Sequence, residues 1–183
     1  MSTSDSPSFG STRISPYIPF ATCIPYAREA CRSGLESGDF LYAAYGAATE
    51  TWAAIIATQD LAQFVRDYEP AVAFVEKLKN RGFADSVKII LAWARALQGR
   101  TRGEQSLSDD TVDEAAYLAS YADNPFFRTF HAVARLHLAC MLGKPAQMLD
   151  AARASGEFTS HVPGTMWPLL HDFWNAVALE ASV

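Results

Sequence analysis

The sequence has few cysteines and no dense cluster of basic residues, and each shortage excludes a class of protein. Cys23, Cys31 and Cys140 are an odd number of thiols at unrelated spacings, with no C-x-x-C pair. We therefore expect a reduced, intracellular setting in the cytoplasm rather than a disulfide framework. The net charge is -5, and the densest basic group, at 95–102, is too small to follow a nucleic-acid backbone. Nucleic acid is not an expected partner.

Long apolar runs are also missing. The N-terminal stretch has no apolar core of the length that a signal peptide needs. The longest apolar segment, SVKIILAWARAL at 86–97, carries charges and is too short to span a bilayer. These absences predict a soluble protein with no membrane partner.

No histidine has a neighbour at the spacing of a metal site or a catalytic pair. His131 and His137 are six residues apart on one predicted helix, so they point about 240° apart around its axis and do not share a metal. His171 directly precedes Asp172, and adjacent helical residues point in different directions. An enzyme that uses His171, Asp172 or Glu50 in a helical cavity has only residue type in its favour. We therefore predict a protein without catalytic activity.

Two further groupings have ordinary structural explanations. Cys140 and His137 are three residues apart, but Cys140 lies in the apolar run LHLACML, where a thiol is expected to be a core residue. The acidic cluster at 109–114 fits helix capping and the helix dipole. It lacks the alternating oxygen ligands and the glycine turn of a calcium loop. We predict no metal and no cofactor.

The sequence does contain a strong helical periodicity. Breaks in it fall near residues 38, 59, 81, 99–109, 124, 143 and 159–165. The spacing gives a helix pair about every 40 residues, the period of α-solenoids, and no alternating β-branched run indicates a sheet. We predict an all-α fold, a right-handed α-solenoid of about four antiparallel, tetratricopeptide-like helix pairs over 20–183. A flexible N-terminal arm, rich in Ser, Thr and Pro, is expected at 1–19.

Local signals predict where several helices begin and end. Gly38 is expected to take a left-handed cap, and Asp39 to cap a second helix over 40–58 that is apolar almost all round. Asp60 is expected to cap a third helix. Pro70 lies inside that helix and predicts a kink or break near 67–69.

The boundaries further along the chain depend on polar clusters. Residues 80–82 are expected to end the third helix, and 84–98 to form the fourth. After a polar loop, Thr111 and Glu114 stand at capping-box spacing. Asn124 is expected to cap the sixth helix, ahead of a proline at its first position.

Two segments resemble known helical repeats. The stretch HLACMLGKPAQML at 137–149 resembles a tetratricopeptide-type pair, with a first helix, a glycine turn and a second helix. The stretch REACRSGLESGDFLYAAY at 28–45 more specifically resembles the helical region that follows the ATPase module in very large bacterial and fungal signalling proteins. Those proteins join a serine/threonine-kinase-like domain, an AAA-type ATPase, this helical region, and GAF and histidine-kinase domains. The likeness extends over most of 25–182.

The resemblance implies a non-catalytic protein-interaction or inter-domain scaffold of a signalling protein. The chain has no Walker-type loop, kinase signature or phospho-acceptor histidine box, so no ATPase or kinase activity is implied. The expected partners are adjacent signalling domains or a partner chain. The apolar last helix (FWNAVALEA, 173–181) lacks a polar capping helix. We therefore expect that the natural chain continues, that a neighbour covers this helix, or that the protein self-associates through it.

Aromatic residues supply the candidate binding site. In a solenoid, the first helix of each pair lines the concave surface, where aromatic side chains bind partner segments. The candidates for such a groove, open to a partner or a ligand, are Tyr45, Trp52, Phe127 and Trp174. The alternative function is an all-helical small-molecule sensor, in which Trp52, Trp93 and Tyr45 enclose an apolar ligand.

Overall fold

The computed structural model describes residues 20–142 and 145–182, which are helical apart from their connections. A short 3-10 turn, Phe20–Thr22, comes first. The helices that follow are α1 (Cys23–Ser37), α2 (Phe40–Ala57), α3 (Leu61–Lys77), α4 (Arg81–Leu97), α5 (Glu114–Ser120), α6 (Pro125–Leu142), α7 (Pro145–Thr159) and α8 (Met166–Glu180). No strand occurs in these two ranges, which confirms the all-α prediction. The expected arm at 1–19 and the glycine turn at 143 lie outside the described residues.

The helix caps predicted at Gly38, Asp39, Asp60 and Asn124 are confirmed. Gly38 has a φ of 76° and closes α1 through a backbone hydrogen bond, a conformation that glycine adopts without steric cost. The Asp39 carboxylate accepts a hydrogen bond from the backbone N–H of Tyr42 at 2.9 Å. Asp60 and Asn124 cap α3 and α6 in the same way. Each carboxylate or amide satisfies a backbone donor that the helix leaves unpaired.

Of the kink or break expected near 67–69, the break does not occur, and the kink stays a prediction. Helix α3 continues through Pro70 to Lys77. Proline at this position leaves the carbonyl of Arg66 without its usual helical donor. Both Pro70 and Arg66 are exposed, so water satisfies that carbonyl and the helix continues.

Two other predicted boundaries are wrong. Asn80 begins a helix rather than ending one, because its side chain accepts a hydrogen bond from the backbone N–H three residues on. Helix α4 therefore starts at Arg81. Thr111 and Glu114 form no capping box, since Asp113 caps α5.

The loop between α4 and α5 is held by two partly buried carboxylates from the acidic cluster. Asp109 accepts hydrogen bonds from backbone N–H groups of its own turn and pairs with Arg95 at 2.9 Å. Glu114 accepts a hydrogen bond from the backbone N–H of Leu107 at 3.1 Å and lies 2.6 Å from His131 Nε2. Burial opposes the ionisation of Glu114, but the His131 and Leu107 interactions outweigh it and lower the pKa of Glu114 to about 2.

The helices pack as neighbours across short connections. Helix α1 packs on α2, α3 on α4, and α7 on both α6 and α8. The even-numbered helices also contact one another in the order α2, α4, α6, α8. The core lies along this row, where the largest buried side chains are aromatic: Trp52, Trp93, Phe130 and Trp167.

Two glycines set the close approach of α1 and α2. A Cβ atom on Gly34 would lie 2.6 Å from the backbone nitrogen of Ala43, and one on Gly46 would lie 2.6 Å from that of Cys31. A larger residue at either position would push the two helices apart. The close contact brings Tyr26 of α1 beside the tyrosines of α2, where all of them line one pocket.

The helices are irregular in length and in the way they pack. Helix α5 has 7 residues, and Trp52 of α2 contacts Trp167 of α8 with ring centroids 6.2 Å apart. The right-handed solenoid of four pairs stays a prediction. Within 20–142 and 145–182, no helix has both the length and the hydropathy needed to cross a membrane.

Candidate functional site

Two of the predicted groove residues, Tyr45 and Trp52, line the same pocket. We call it the Tyr45 pocket; it has a volume of about 300 Å³ and lies between the α1–α2 pair and the start of α8. Its larger lining side chains are Cys23, Tyr26, Tyr42, Tyr45, Trp52, Met166 and Trp167. None of the residues that line it is charged. The pocket therefore suits an apolar or aromatic group.

The pocket has a buried floor and an exposed rim. Trp52 and Trp167 are 3% and 1% exposed and form the floor. The rim consists of Tyr26, Tyr42 and Tyr45, which are 73%, 41% and 37% exposed. An aromatic rim exposed to this degree is available for contact without any rearrangement of the core.

Two polar groups define the chemistry of the floor. The Trp52 Nε1–H donates a hydrogen bond to Ser86 Oγ at 3.3 Å, which fixes the orientation of the indole. The buried Oγ1 of Thr49 has no hydrogen-bond partner among the described residues, and Thr49 lines the pocket. Buried hydroxyls are usually paired, so Thr49 is an exception in this part of the core.

The third predicted residue, Phe127, lies in an adjoining groove. Leu41 and Phe83 line this Phe127 groove as well, and Leu41 is 63% exposed. The ring of Phe83 connects the two sites, with its centroid 5.5 Å from that of Tyr45 and 6.0 Å from that of Phe127. Ring contacts through Phe83 therefore link the Tyr45 pocket and the Phe127 groove. We call these two sites, which include Tyr45, Trp52 and Phe127, the aromatic surface.

The fourth predicted residue, Trp174, lies elsewhere. It lines a separate cavity of about 510 Å³ together with Trp93 and His137. The rings of Trp174 and His137 stack with a centroid separation of 4.0 Å. The sensor hypothesis placed Trp93 with Tyr45 and Trp52 around one ligand, but Trp93 lines this second cavity and not the Tyr45 pocket.

The residues of the enzyme alternative have other partners. Glu50 accepts hydrogen bonds from Arg28 at 2.9 Å and Tyr68 at 3.1 Å. Nδ1 of His171 lies 3.1 Å from the hydroxyl of Ser155, which is fully buried. Burial lowers the pKa of His171, although the charge of Asp172 acts in the opposite direction. A serine without access to solvent is in no position to attack a substrate.

Cys140 and His137 likewise contact other side chains and backbone of the core rather than each other. The Cys140 thiol donates to the backbone carbonyl of Trp174 at 3.4 Å, and burial raises its pKa. A thiol with a raised pKa is a poor nucleophile at neutral pH. In the part of the chain that the structure describes, no group of three or more His, Cys, Asp or Glu residues is arranged to hold a metal ion.

Sequence reasoning missed several residues of the aromatic surface. Tyr42 had a usable signal, because it stands three residues before Tyr45 and therefore shares its helix face. Tyr26, Phe83 and Trp167 had none, since they come from other helices. Their place beside Tyr45 depends on how those helices pack.

Comparisons of the chain with protein-family models, with curated proteins and with solved structures found no match. The class that fold and site define is an all-helical domain with an exposed aromatic surface on its first helix pair. The resemblance of 28–45 to the helical region of large signalling proteins stays a prediction.

Proposed function

We propose that the protein is a non-catalytic protein-interaction module that holds an apolar segment of a partner protein on the Tyr45 pocket and the Phe127 groove. The observation that carries the proposal is the exposure of large apolar side chains along α1 and α2. These side chains are Tyr26, Leu35, Phe40, Leu41, Tyr42 and Tyr45. Their exposed fractions run from 37% to 73%, and contiguous apolar surface of this kind marks a contact site.

The partner segment is expected to insert one aromatic or branched aliphatic side chain into the Tyr45 pocket. The uncharged lining and the buried indole floor favour such an anchor over a charged one. Beside this site the surface of α1 is ionic, with Arg32 bonded to Glu29 and Glu36. An apolar centre next to a charged margin is the usual anatomy of a protein interface.

The kind of partner follows from the resemblance. The segment 28–45 that resembles the signalling proteins forms most of α1 and the start of α2, which is where the exposed side chains lie. The proposal therefore extends to an inter-domain scaffold in a cytoplasmic signalling protein, with tetratricopeptide-like helix pairs. Its partner is an adjacent signalling domain or a separate chain.

The proposal is tested by selecting peptides from a random library on the full chain. Bound peptides are expected to share an aromatic or branched anchor, and their dissociation constants are then measured by isothermal titration calorimetry. Tyr42→Ser removes an aromatic side chain of the rim that the bound segment contacts, and is expected to weaken binding by about tenfold. Phe173→Ser serves as the matched control. Phe173 on α8 is 58% exposed but does not belong to the aromatic surface.

Peptides that bind the Tyr42→Ser variant as tightly as the wild type would contradict the proposal, as would a selection that enriches none. The sensor alternative makes a different prediction. In that case a small apolar compound occupies the Tyr45 pocket and raises the thermal midpoint, while no peptide competes with it.

A further inference from the structure

A second cavity lies one helical turn further along α2 and α8 from the floor of the Tyr45 pocket. We call it the His137 cavity; its volume is about 510 Å³, and α2, α4, α6 and α8 all contribute to it. The principal lining residues are Ile55, Leu61, Trp93, His137, Leu170 and Trp174. No charged side chain lines it. Its size is within the range of pockets that bind small molecules.

Two residues that line this cavity each carry a buried nitrogen atom without a hydrogen-bond partner. These atoms are Nε1 of Trp93 and Nδ1 of His137, and neither has a partner among the described residues. Trp93 is 1% exposed, and the centroids of the two rings are 5.3 Å apart. Buried polar groups in folded proteins are nearly always paired. Two unpaired nitrogens on adjoining rings of one cavity therefore call for an explanation.

The protonation state of His137 limits the kinds of ligand group that the cavity can bind. Burial lowers the pKa of His137 to about 4, so the imidazole is neutral at neutral pH. A neutral imidazole has one nitrogen that donates and one that accepts a hydrogen bond. The Trp93 indole nitrogen only donates. In the neutral tautomer that carries its proton on Nε2, Nδ1 of His137 is an acceptor, so the two unpaired nitrogens offer one donor and one acceptor without any charge.

We propose that the His137 cavity binds a neutral, mainly apolar small molecule that carries one hydroxyl group, such as an alcohol or a phenol. The hydroxyl oxygen accepts a hydrogen bond from Trp93 Nε1, and its proton is donated to His137 Nδ1. The apolar body packs among Ile55, Leu170 and Trp174. This site shares no residue with the Tyr45 pocket or the Phe127 groove, so the inference does not depend on the proposed function.

Other ligand classes fit this lining less well. A carboxylate or an ammonium group would be buried without a partner of opposite charge, at a large cost in free energy. An ether or ketone oxygen accepts from Trp93 but leaves the imidazole acceptor unpaired. Met141 and Phe173 also line the cavity and are 60% and 58% exposed. Because the two nitrogen atoms are buried, the proposed binding requires side chains of the lining to move.

A series of four naphthalene compounds tests the inference on the full wild-type chain. Titration calorimetry at neutral pH compares 2-naphthol, 2-methoxynaphthalene, naphthalene and 2-naphthoate. We expect 2-naphthol to bind about five- to tenfold more tightly than its methyl ether, the effect of one neutral hydrogen bond. The charged naphthoate is expected to bind more weakly than naphthalene itself. Bound naphthol should also shift the Trp93 indole N–H resonance, which is assigned with Trp93→Phe.

The variant His137→Phe preserves an aromatic ring for stacking and removes the acceptor. It should weaken 2-naphthol binding by about fivefold or more while leaving 2-methoxynaphthalene nearly unchanged. His161→Gln, at an exposed histidine that lines neither pocket, should leave both affinities unchanged. Equal affinity for naphthol and its methyl ether in the wild type would overturn the inference, and so would no binding of naphthol up to its solubility limit. Since the ligand series uses the wild type, the outcome does not depend on whether the variant folds.

Discussion

The indole of Trp52 in α2 contacts the indole of Trp167 in α8, with centroids 6.2 Å apart and an interplanar angle of 65°. The ring of Phe130 in α6 contacts both, at 4.7 Å and 4.8 Å. All three side chains are almost fully buried. They join the first and last helix pairs, so the floor of the Tyr45 pocket is also the centre of the core.

Replacing Trp52 should therefore affect stability as well as binding. We expect Trp52→Ala to lower the free energy of unfolding by about 3–5 kcal/mol, the range for removing a large buried aromatic ring. Trp52→Phe should cost less, because it loses only part of the ring and the hydrogen bond to Ser86. Urea unfolding followed by circular dichroism measures both. Tyr26→Ala, at a side chain that is 73% exposed, should change stability by less than about 0.5 kcal/mol, and an equal effect at both positions would refute this account of the core.

Features that depend on neighbouring residues could be predicted from the sequence. The caps at Asp39 and Asp60 require only a side-chain oxygen next to backbone donors two or three residues away. The span of α2 follows from its apolar composition. Pro70 does not break α3, because a proline is tolerated in a helix where the freed carbonyl is exposed. The sequence does not show which face of α3 is exposed.

Features that depend on distant residues could not be predicted. The spacing of Glu114 matched a capping box. Its carboxylate instead interacts with Leu107 and His131, which lie on either side of α5 in the sequence. In the same way, Tyr45 and Trp52 were recognisable as candidates, whereas Trp167 joins them only through the packing of α8. A single sequence indicates which residues share a helix face, but it does not show which helices pack against each other.

The close contact of α1 and α2 predicts an unusual response to alanine. Alanine is the better helix former by about 1 kcal/mol, so Gly→Ala inside a helix ordinarily stabilises. At Gly46 the new Cβ atom would lie 2.6 Å from the backbone nitrogen of Cys31, and backbone atoms do not yield as a flexible side chain does. We expect Gly46→Ala to destabilise by about 1–3 kcal/mol, as overpacking does.

Gly156 provides the matched control for this substitution. It lies inside α7, and its nearest contact for a Cβ atom is the ring of His171 at 3.4 Å, an ordinary van der Waals distance. Gly156→Ala should be neutral or stabilising by up to about 1 kcal/mol. Thermal unfolding of both variants tests the difference, and a Gly46→Ala midpoint at or above that of the wild type would show that the helices separate without cost.

His137 predicts a loss of stability on mild acidification. Its pKa in the folded protein is lowered to about 4 by burial, whereas an unfolded histidine has a pKa of about 6.5. The unfolded chain therefore takes up this proton first, and stability declines as the pH falls from about 6.5 to 4. The full contribution is at most about 3 kcal/mol. Unfolding curves across this range should show a smaller decline in His137→Phe than in the wild type.

The exposed His161 supplies the control for that measurement. His161→Gln should leave the pH dependence of stability as it is in the wild type. If His137→Phe and His161→Gln gave the same pH profile, the imidazole of His137 would not be held in its neutral form by burial.

Glu114 also makes stability depend on acid, at lower pH and as a charged group rather than a neutral one. Its pKa is lowered to about 2 because the interactions with His131 and Leu107 outweigh the burial of the carboxylate. A carboxylate whose folded pKa is depressed contributes stability that is fully present above its unfolded pKa of about 4.3 and is lost as the pH falls towards about 2. We expect Glu114→Gln to cost about 2–3 kcal/mol at neutral pH and to remove most of this acid dependence.

Asp150→Asn, which alters an exposed pair with Arg153, is the control and should leave the acid dependence of stability unchanged. Parallel acid titrations followed by circular dichroism decide the matter: coincident wild-type and Glu114→Gln profiles between about pH 4.3 and 2 would mean that Glu114 does not hold the α4–α5 loop.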